Sequence, residues 1–538
     1  MIGAQTGTAG AYAAFQRQIG QGYDLLKQGR LDDARHLSER LLAAHADDAE
    51  ALYLAGEVQL EAGDADTALA LISRAVEVAP GQFALLLKKA RILNLLRRRS
   101  EAKQVAGDAA AVAANNGRAL WAVGSVHGRC GDPATERRFY ERARAAGVQD
   151  PALLYDLAAA QFFTGDFAAA EENLDALLAA APDTGHALYL RSTLRRQTEA
   201  SNHVAELQER LDAGLLDDTG RAACLYALAK ELEDLGKAES SFSALSEGAA
   251  LKRRTLSHDA AAEREAIAAI AATWSTEAMK APIEGHDEAG AIFVVGMPRT
   301  GTTLVERMLG RHSEVGSAGE LLDFGQLLMA AVQKVRASDP AKTPAQASRL
   351  IDFAALGRDY MASARQAAAG SPVFVDKMPI NFMYCGLIRK ALPNARIVHL
   401  VRDPLDTCYA VYKTLFNQAY PFSYSQDELG AYYATYHRLM RHWHAVMPGD
   451  IVDVHYEDLV TDVEGQARRI LAHCGLDWQD AVLASTSDHD APSMTASAAQ
   501  VREPLHSRSV GKWRNHEAGL APLVASLAAA GLVDPTRG

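Results

Sequence analysis

Ala291-Ile292-Phe293-Val294-Val295-Gly296-Met297-Pro298-Arg299-Thr300-Gly301-Thr302-Thr303-Leu304-Val305-Glu306-Arg307-Met308-Leu309 is the stretch whose reading decides the fold. An apolar, β-branched run, a loop holding two glycines and a further run rich in apolar residues predict a strand, a tight loop and a helix. Such a loop aims successive backbone N–H groups and a helix N-terminus at one point, which suits a phosphate. Gly296 and Gly301 stand at the GxxxxG spacing of a Walker A loop, but Thr302 takes the place of its lysine. The cationic residue here is Arg299. On the loop alone, a P-loop kinase or nucleotidase and an ordinary strand-to-helix turn both stay open.

Further along, the same texture recurs. Val373-Phe374-Val375 reads as a strand ending in Asp376-Lys377-Met378-Pro379, with a helical stretch from Asn381 to Ala391. Arg396 to Val401 is a third strand and ends in Arg402-Asp403-Pro404, and Ile451 to His455 is a fourth that runs into Tyr456-Glu457-Asp458. An open parallel sheet binds ligands at its strand carboxyl ends, so Lys377, Arg402 and Tyr456 are expected beside the glycine loop. The expectation is an α/β, P-loop-like domain with a mainly parallel central sheet over residues 288–520. The segment His312 to Glu320 returns toward the loop and offers two candidate bases, His312 and Glu320. His399, inside an apolar strand, reads as a core or supporting residue.

Pro298 to Thr303 resembles the 5′-phosphosulfate loop of sulfotransferases, above all the tyrosylprotein sulfotransferases and their bacterial relatives. Arg402-Asp403-Pro404 resembles their 3′-phosphate motif, Tyr456 to Val460 their tyrosine-bearing segment, and Ser497 to Pro504 with Lys512-Trp513 their last cofactor segment. The resemblance implies transfer of a sulfuryl group from 3′-phosphoadenosine 5′-phosphosulfate (PAPS) to an acceptor hydroxyl, a tyrosine or phenol among the candidates, with the 3′,5′-bisphosphate (PAP) as product. It implies Glu320, after Gly319, as the base, and Arg299 and Lys377 as stabilisers of charge on the bridging oxygen. It assigns Arg299, Thr300, Gly301, Thr302, Thr303, Arg402, Tyr456, Ser497, Gln500, Arg502 and Lys512 to the nucleotide, and it needs no metal. Ala410 departs from the motif, standing where the family carries a serine, and Glu503 stands where a basic residue is common, which passes that role to Arg502. A third reading, a repeat scaffold with an inactive sulfotransferase-like domain, competes through Ala410.

The first half of the chain is periodic. Gly29, Gly63, Gly131 and Gly165 lie on one 34-residue grid, with Arg97 at the remaining node. Five residues after the nodes come Ala34, Ala68, Ala102 and Ala170, with Glu136 as the exception, and twelve after come Ala75, Ala109 and Ala143. Ala49 to Pro80 carries Leu52, Tyr53, Gly56, Gly63, Asp64, Ala68, Ala75 and Pro80 in the pattern of the tetratricopeptide repeat, which it resembles. An all-α tetratricopeptide solenoid over residues 15–278 is expected, its register loosening after Pro182 and resuming in a helical pair from Tyr226 through Gly236 to Phe242. Such an array serves as a scaffold, as an oligomerisation arm, or as the groove that holds a protein or peptide acceptor.

Composition sets the remaining bounds. With 538 residues, 49% hydrophobic and 23% charged, the chain is globular and too long for one domain of common size. A formal net charge of -12 speaks against a nucleic-acid or membrane-surface binder. Residues Met1 to Phe15 show no secretory pattern, and no apolar run is long enough to span a bilayer. The five cysteines are scattered without CxxC spacing, so the expected compartment is a reducing cytoplasm.

Overall fold

The structure is a computed structural model that describes residues 3–282, 284–416, 418–484, 494–495, 499 and 508–534, with side chains from residue 12 onward. The chain forms two compact units, Met1–Leu153 and Leu154–Gly538.

The first unit is a row of helical hairpins. Its helices run Gly3–Lys27, Leu31–Ala44, Ala49–Glu61, Ala65–Val78, Phe83–Leu95, Arg99–Ala113, Gly117–Arg129 and Pro133–Ala145. The grid seen in the sequence is a grid of left-handed turns. Gly29, Gly63, Gly131 and Gly165 have φ of 71°, 83°, 77° and 87°, and Arg97, at the odd node, adopts φ 60° all the same. The backbone demand of the turn is therefore met by a residue that bears a Cβ and carries its steric cost. The next residue opens the following helix, and Asp64, Asp132 and Asp166 accept hydrogen bonds from Thr67, Thr135 and Ala169 N–H, whereas Arg30 and Arg98 make no such cap.

Ala34, Ala68, Ala102, Ala170, Ala75, Ala109 and Ala143 are all fully buried, as close approach of paired helices requires. Glu136, the exception, is accommodated by Gly128 on the facing helix, where an added Cβ would lie 2.1 Å from Oε1 of Glu136. The large residue in one helix is matched by a glycine in the other.

The second unit continues the helical pattern and then builds a sheet. Helices Asp218–Asp234 and Ala238–Arg254 form the expected pair, turning at Gly236 with φ 75°. One continuous core joins them to the α/β part: Leu174, Tyr226 and Leu245 share a hydrophobic cluster with Phe293, Phe324, Tyr409 and Trp513. The change of texture near Ala278 is thus a change of secondary structure, and the core runs through it unbroken.

The sheet has five parallel strands, β1 (Ala291–Gly296), β2 (Val315–Gly319), β3 (Val373–Asp376), β4 (Arg396–Val401) and β5 (Ile451–His455), in the order β2-β3-β1-β4-β5. β1 is central and buried on both faces: Phe293 and Val295 face the large core, Ile292 and Val294 a second cluster with Leu304, Met308, Ile470 and Leu471. β2 was not foreseen. Its sequence, Val-Gly-Ser-Ala-Gly, lacks the β-branched run that marks a strand, and as an edge strand it pairs on one side only. Its register shifts between Ser317 and Gly319, an irregularity that re-aims the chain just before Glu320.

At the end of β3, Asp376 is fully buried. Its carboxylate accepts from Tyr360 Oη at 2.8 Å, Asn381 Nδ2 at 3.3 Å and Leu321 N–H at 3.3 Å, the last tying down the peptide that follows Glu320. Burial outweighs these donors and raises its pKa from 3.8 to about 8.

Two predictions follow from the local chemistry of these elements. Arg97→Gly stabilises the first urea unfolding transition of the full chain by up to about 1 kcal/mol and moves its midpoint up, whereas Gly63→Ala destabilises it by about as much. An Arg97→Gly variant no more stable than wild type contradicts the strain account. Because the folded state holds a proton on Asp376 that the unfolded chain releases near pH 4, that contribution is complete at low pH and is lost as pH rises through about 8. The melting temperature of Asp376→Asn accordingly falls less steeply than that of wild type between pH 5 and about 8; parallel slopes contradict it.

Candidate active site

Because the strands are parallel, their carboxyl ends share one edge, and each delivers a side chain to it. In spatial order these are Glu320 after β2, Lys377 after β3, the Gly296–Thr303 loop with Arg299 after β1, Arg402 after β4 and Tyr456 after β5. Residues far apart in sequence are therefore brought together by the topology.

The loop after β1 needs its glycines. Gly296 has φ 148°, and a Cβ there would lie 2.6 Å from the Leu400 carbonyl; Gly301 has φ 100°, and a Cβ there would lie 2.7 Å from the Tyr456 ring. Arg299 itself is left-handed, φ 67°. Thr302 and Thr303, both buried, open the helix Thr302–Leu309. Thr300 donates its hydroxyl to the Met297 carbonyl at 2.8 Å, a bond that shapes the loop and leaves its backbone N–H as what it offers a ligand. Burial, and secondarily the nearby Arg402, hold Arg299 down at about 10 despite the opposing effect of Tyr189.

Lys377 is 1% exposed. Its ammonium donates to Glu320 Oε1 and lies 3.7 Å from Glu306 Oε2, and its backbone N–H donates to the Gly319 carbonyl at 2.9 Å. Glu320 is the more open partner of the pair, its side chain 36% exposed. Glu306 also accepts from Ser317 Oγ at 2.7 Å and is a site residue that sequence reasoning missed. Its position on the helix face three residues beyond Thr303 was the available signal. His312 lies elsewhere: its ring bonds the Asp477 carbonyl at 3.0 Å, and the structure does not bring it to the Lys377–Glu320 pair.

Arg402 is buried. It donates to the carbonyls of Arg299 at 3.0 Å and Ser509 at 2.6 Å, and its guanidinium lies over the Tyr456 ring at 4.9 Å. Its Nε, among the described residues, is out of solvent and has no hydrogen-bond partner. Tyr456 completes the arrangement with a 2.8 Å bond to Ser509 Oγ. Thr407, in the helix after Arg402, is fully buried and donates to the Arg402 carbonyl at 3.4 Å. A cleft of about 390 Å³ beside Arg402 is lined also by Asp403, His455, Glu457, Gly511 and Arg514. Arg514 is a second residue the sequence reading missed.

Ser497, Gln500 and Arg502 lie outside the described residues. Lys512 is described, and its ammonium is 3.0 Å from Glu233. Of the aromatic segment Phe416 to Tyr436, Phe422, Tyr432, Tyr433 and Tyr436 are buried in the core, while Tyr420 is close enough to Glu320 for that carboxylate to help raise its pKa, after burial. His399 is a supporting residue: it bonds Asp453 at 2.8 Å and the Tyr436 hydroxyl at 2.5 Å, and Tyr436 in turn accepts from the Met297 backbone in the glycine loop.

The profile of the sulfotransferase family matches residues 291–480, and that of the tetratricopeptide repeat matches residues 19–83. An uncharacterized protein of Aquifex aeolicus is 32% identical over 332 residues, 60% of this chain and 43% of that protein. A protein-tyrosine sulfotransferase of Drosophila melanogaster is 24% identical over 245 residues, 42% of this chain and 47% of that protein. Among solved structures, the sulfotransferase domain of the Synechococcus PCC 7002 olefin synthase aligns with a TM-score of 0.31 and 19% identity over 46% of this chain and 97% of its own. The chain spans about half the length of the curated relatives named here. With the parallel sheet and its ring of strand-end residues in place, the chain is one that carries a tetratricopeptide repeat followed by a sulfotransferase-family domain.

Proposed function

We propose that the chain is a sulfotransferase that takes PAPS as donor and a hydroxyl compound as acceptor. The observation that carries this reading is the order of charges along the sheet edge, with the Glu320–Lys377 pair at one end, Arg299 in the loop and Arg402 at the other end. A kinase reading is disfavoured by Thr302 in the lysine position of the loop.

The groups present suit a donor of this kind. Arg402, which lines the cleft and keeps one buried donor nitrogen without a partner among the described residues, fits a 3′-phosphate, for which a guanidinium fork is well shaped. The N–H groups of the loop and the hydroxyls of Thr302 and Thr303 fit a 5′-phosphate at a helix N-terminus. In the transfer, the acceptor oxygen attacks sulfur, its proton passes to Glu320, and the bond from sulfur to the bridging oxygen breaks to release PAP. Arg299 and Lys377 stabilise the negative charge that builds on that oxygen. The roles of Arg299, Lys377 and Glu320 rest on their shared position at the strand ends, and those of Ser497, Gln500 and Arg502 on the family pattern alone.

A phenolic or peptide tyrosine acceptor is supported by the similarity to protein-tyrosine sulfotransferases. The repeats are proposed to hold a protein acceptor. The cysteines are free thiols, in keeping with a reducing, cytoplasmic setting.

Transfer of label from ³⁵S-PAPS to a phenol and to a tyrosyl peptide tests this reading. Glu320→Gln is expected to lower the rate by about 10²–10⁴-fold while PAP binding persists. No transfer to any hydroxyl compound by wild-type protein that binds PAP would favour the inactive-scaffold reading, and undiminished transfer by Glu320→Gln would remove Glu320 as the base.

A further inference from the structure

Glu233 is at the end of the helix Asp218–Asp234, in the part of the chain that reads as repeat, and its side chain is mostly covered, 12% exposed, at the boundary with the α/β fold. Four groups from that fold converge on its carboxylate. Tyr409 donates its hydroxyl at 2.6 Å, Lys413 lies 3.1 and 2.9 Å from the two oxygens, Lys512 is 3.0 Å away and His516 3.7 Å away. These donors come from two segments: Tyr409 and Lys413 from the helix Pro404–Tyr412 and its C-terminal end, which follow Arg402 directly, and Lys512 and His516 from the short helix Lys512–His516. Glu233 is thus bonded to both.

The second segment is also tied to the nucleotide side. Asp406 accepts from the N–H groups of Gly511 at 2.5 Å and Trp513 at 3.2 Å, Arg402 donates to the Ser509 carbonyl, and Tyr456 bonds Ser509 Oγ. Gly511 and Arg514, on either side of Lys512, line the cleft beside Arg402, whereas Lys512 is turned to Glu233. The cations at Glu233 outnumber its charge, and burial with neighbouring Lys512 lets Lys413 settle at about 8 even beside the carboxylate.

We propose that Glu233 is a positioning residue for the nucleotide: through Lys512 it fixes the Ser509–His516 segment against the helix that follows Arg402, so that the repeat-like helix Asp218–Asp234 is part of the donor site. This rests on the reading of the chain as a PAPS-dependent sulfotransferase. It also reassigns Lys512 from a direct phosphate ligand to a residue acting through the carboxylate it bonds. No shared boundary near Ala278 then separates a helical accessory from a self-sufficient enzyme.

Calorimetric titration of the full chain with PAP tests it on wild type, Glu233→Gln, Lys512→Met and the double variant. Each single substitution is expected to weaken PAP binding about tenfold, the loss of roughly one charge-assisted hydrogen bond, and the double variant is expected to be no weaker than either. That non-additivity is the signature of two residues acting as one contact. Glu233→Asp is expected to recover part of the affinity. Additive losses would return Lys512 to direct phosphate binding, and PAP binding by folded Glu233→Gln equal to or tighter than that of wild type would overturn the proposal. If Glu233→Gln does not fold, Lys512→Met, which leaves Glu233 its Tyr409 and Lys413 donors, carries the same expectation, and unchanged PAP binding there overturns it equally. Wild type that fails to bind PAP overturns the donor reading as well, which keeps the two failures distinct.

Discussion

Holding cations out of water at the edge of a parallel sheet is the constraint on which the α/β half depends. Lys377 and Arg402 are buried, and burial depresses Arg299. Removing such groups from water is costly unless they are paired or hydrogen-bonded, and the fold supplies partners selectively. Lys377 has two carboxylates, Glu320 and Glu306; Arg402 has carbonyls and an aromatic face and, among the described residues, no carboxylate as hydrogen-bond acceptor. The sheet edge thus carries a carboxylate–lysine cluster toward β2 and arginines after β1 and β4, with Asp403 and Glu457 also lining the cleft beside Arg402. A ligand with its anionic groups spread over the β1 and β4 ends, and its reacting centre toward β2, meets that distribution.

The helices ahead of the sheet have two physical roles. In the first unit, small residues and left-handed turns make each hairpin complete only when stacked on its neighbours. In the second, the same kind of hairpin has been taken into the core of an α/β domain: Tyr226 donates to the Tyr412 carbonyl at 3.0 Å, Tyr189 accepts from Leu415 N–H at 3.1 Å, and Glu233 collects the cations described above. A helical hairpin of the repeat kind thus supports the sheet edge that is proposed to hold the nucleotide.

Much of this was legible in the sequence because it is local. The glycine grid marks backbone turns, the strands β1, β3, β4 and β5 are apolar β-branched runs, and each is followed at once by its functional residue. What escaped was either weakly patterned or long-range. β2 is built of glycine, serine and alanine and is held by pairing to β3 more than by its own propensity, so the strand that carries Glu320 had no sequence mark. Glu306 has no motif to mark it, and only the fold places Lys377 against it. Lys512 was identifiable as a basic residue near the last motif, but its partner Glu233 lies in a different architectural region of the chain, and no spacing rule connects them. Arg97 shows the converse: its place on the glycine grid was visible, and the structure shows that the turn persists without the glycine.

The account stands most directly on whether the cationic edge at Arg402 recognises a 3′-phosphate. Calorimetric titration of the full chain with PAP and with ADP, on wild type and on Arg402→Ala, measures this. The account predicts that wild type binds PAP at least about a hundredfold tighter than ADP, and that Arg402→Ala abolishes most of that preference. Equal binding of the two nucleotides by wild type, or a preference for PAP that survives in Arg402→Ala, would contradict it.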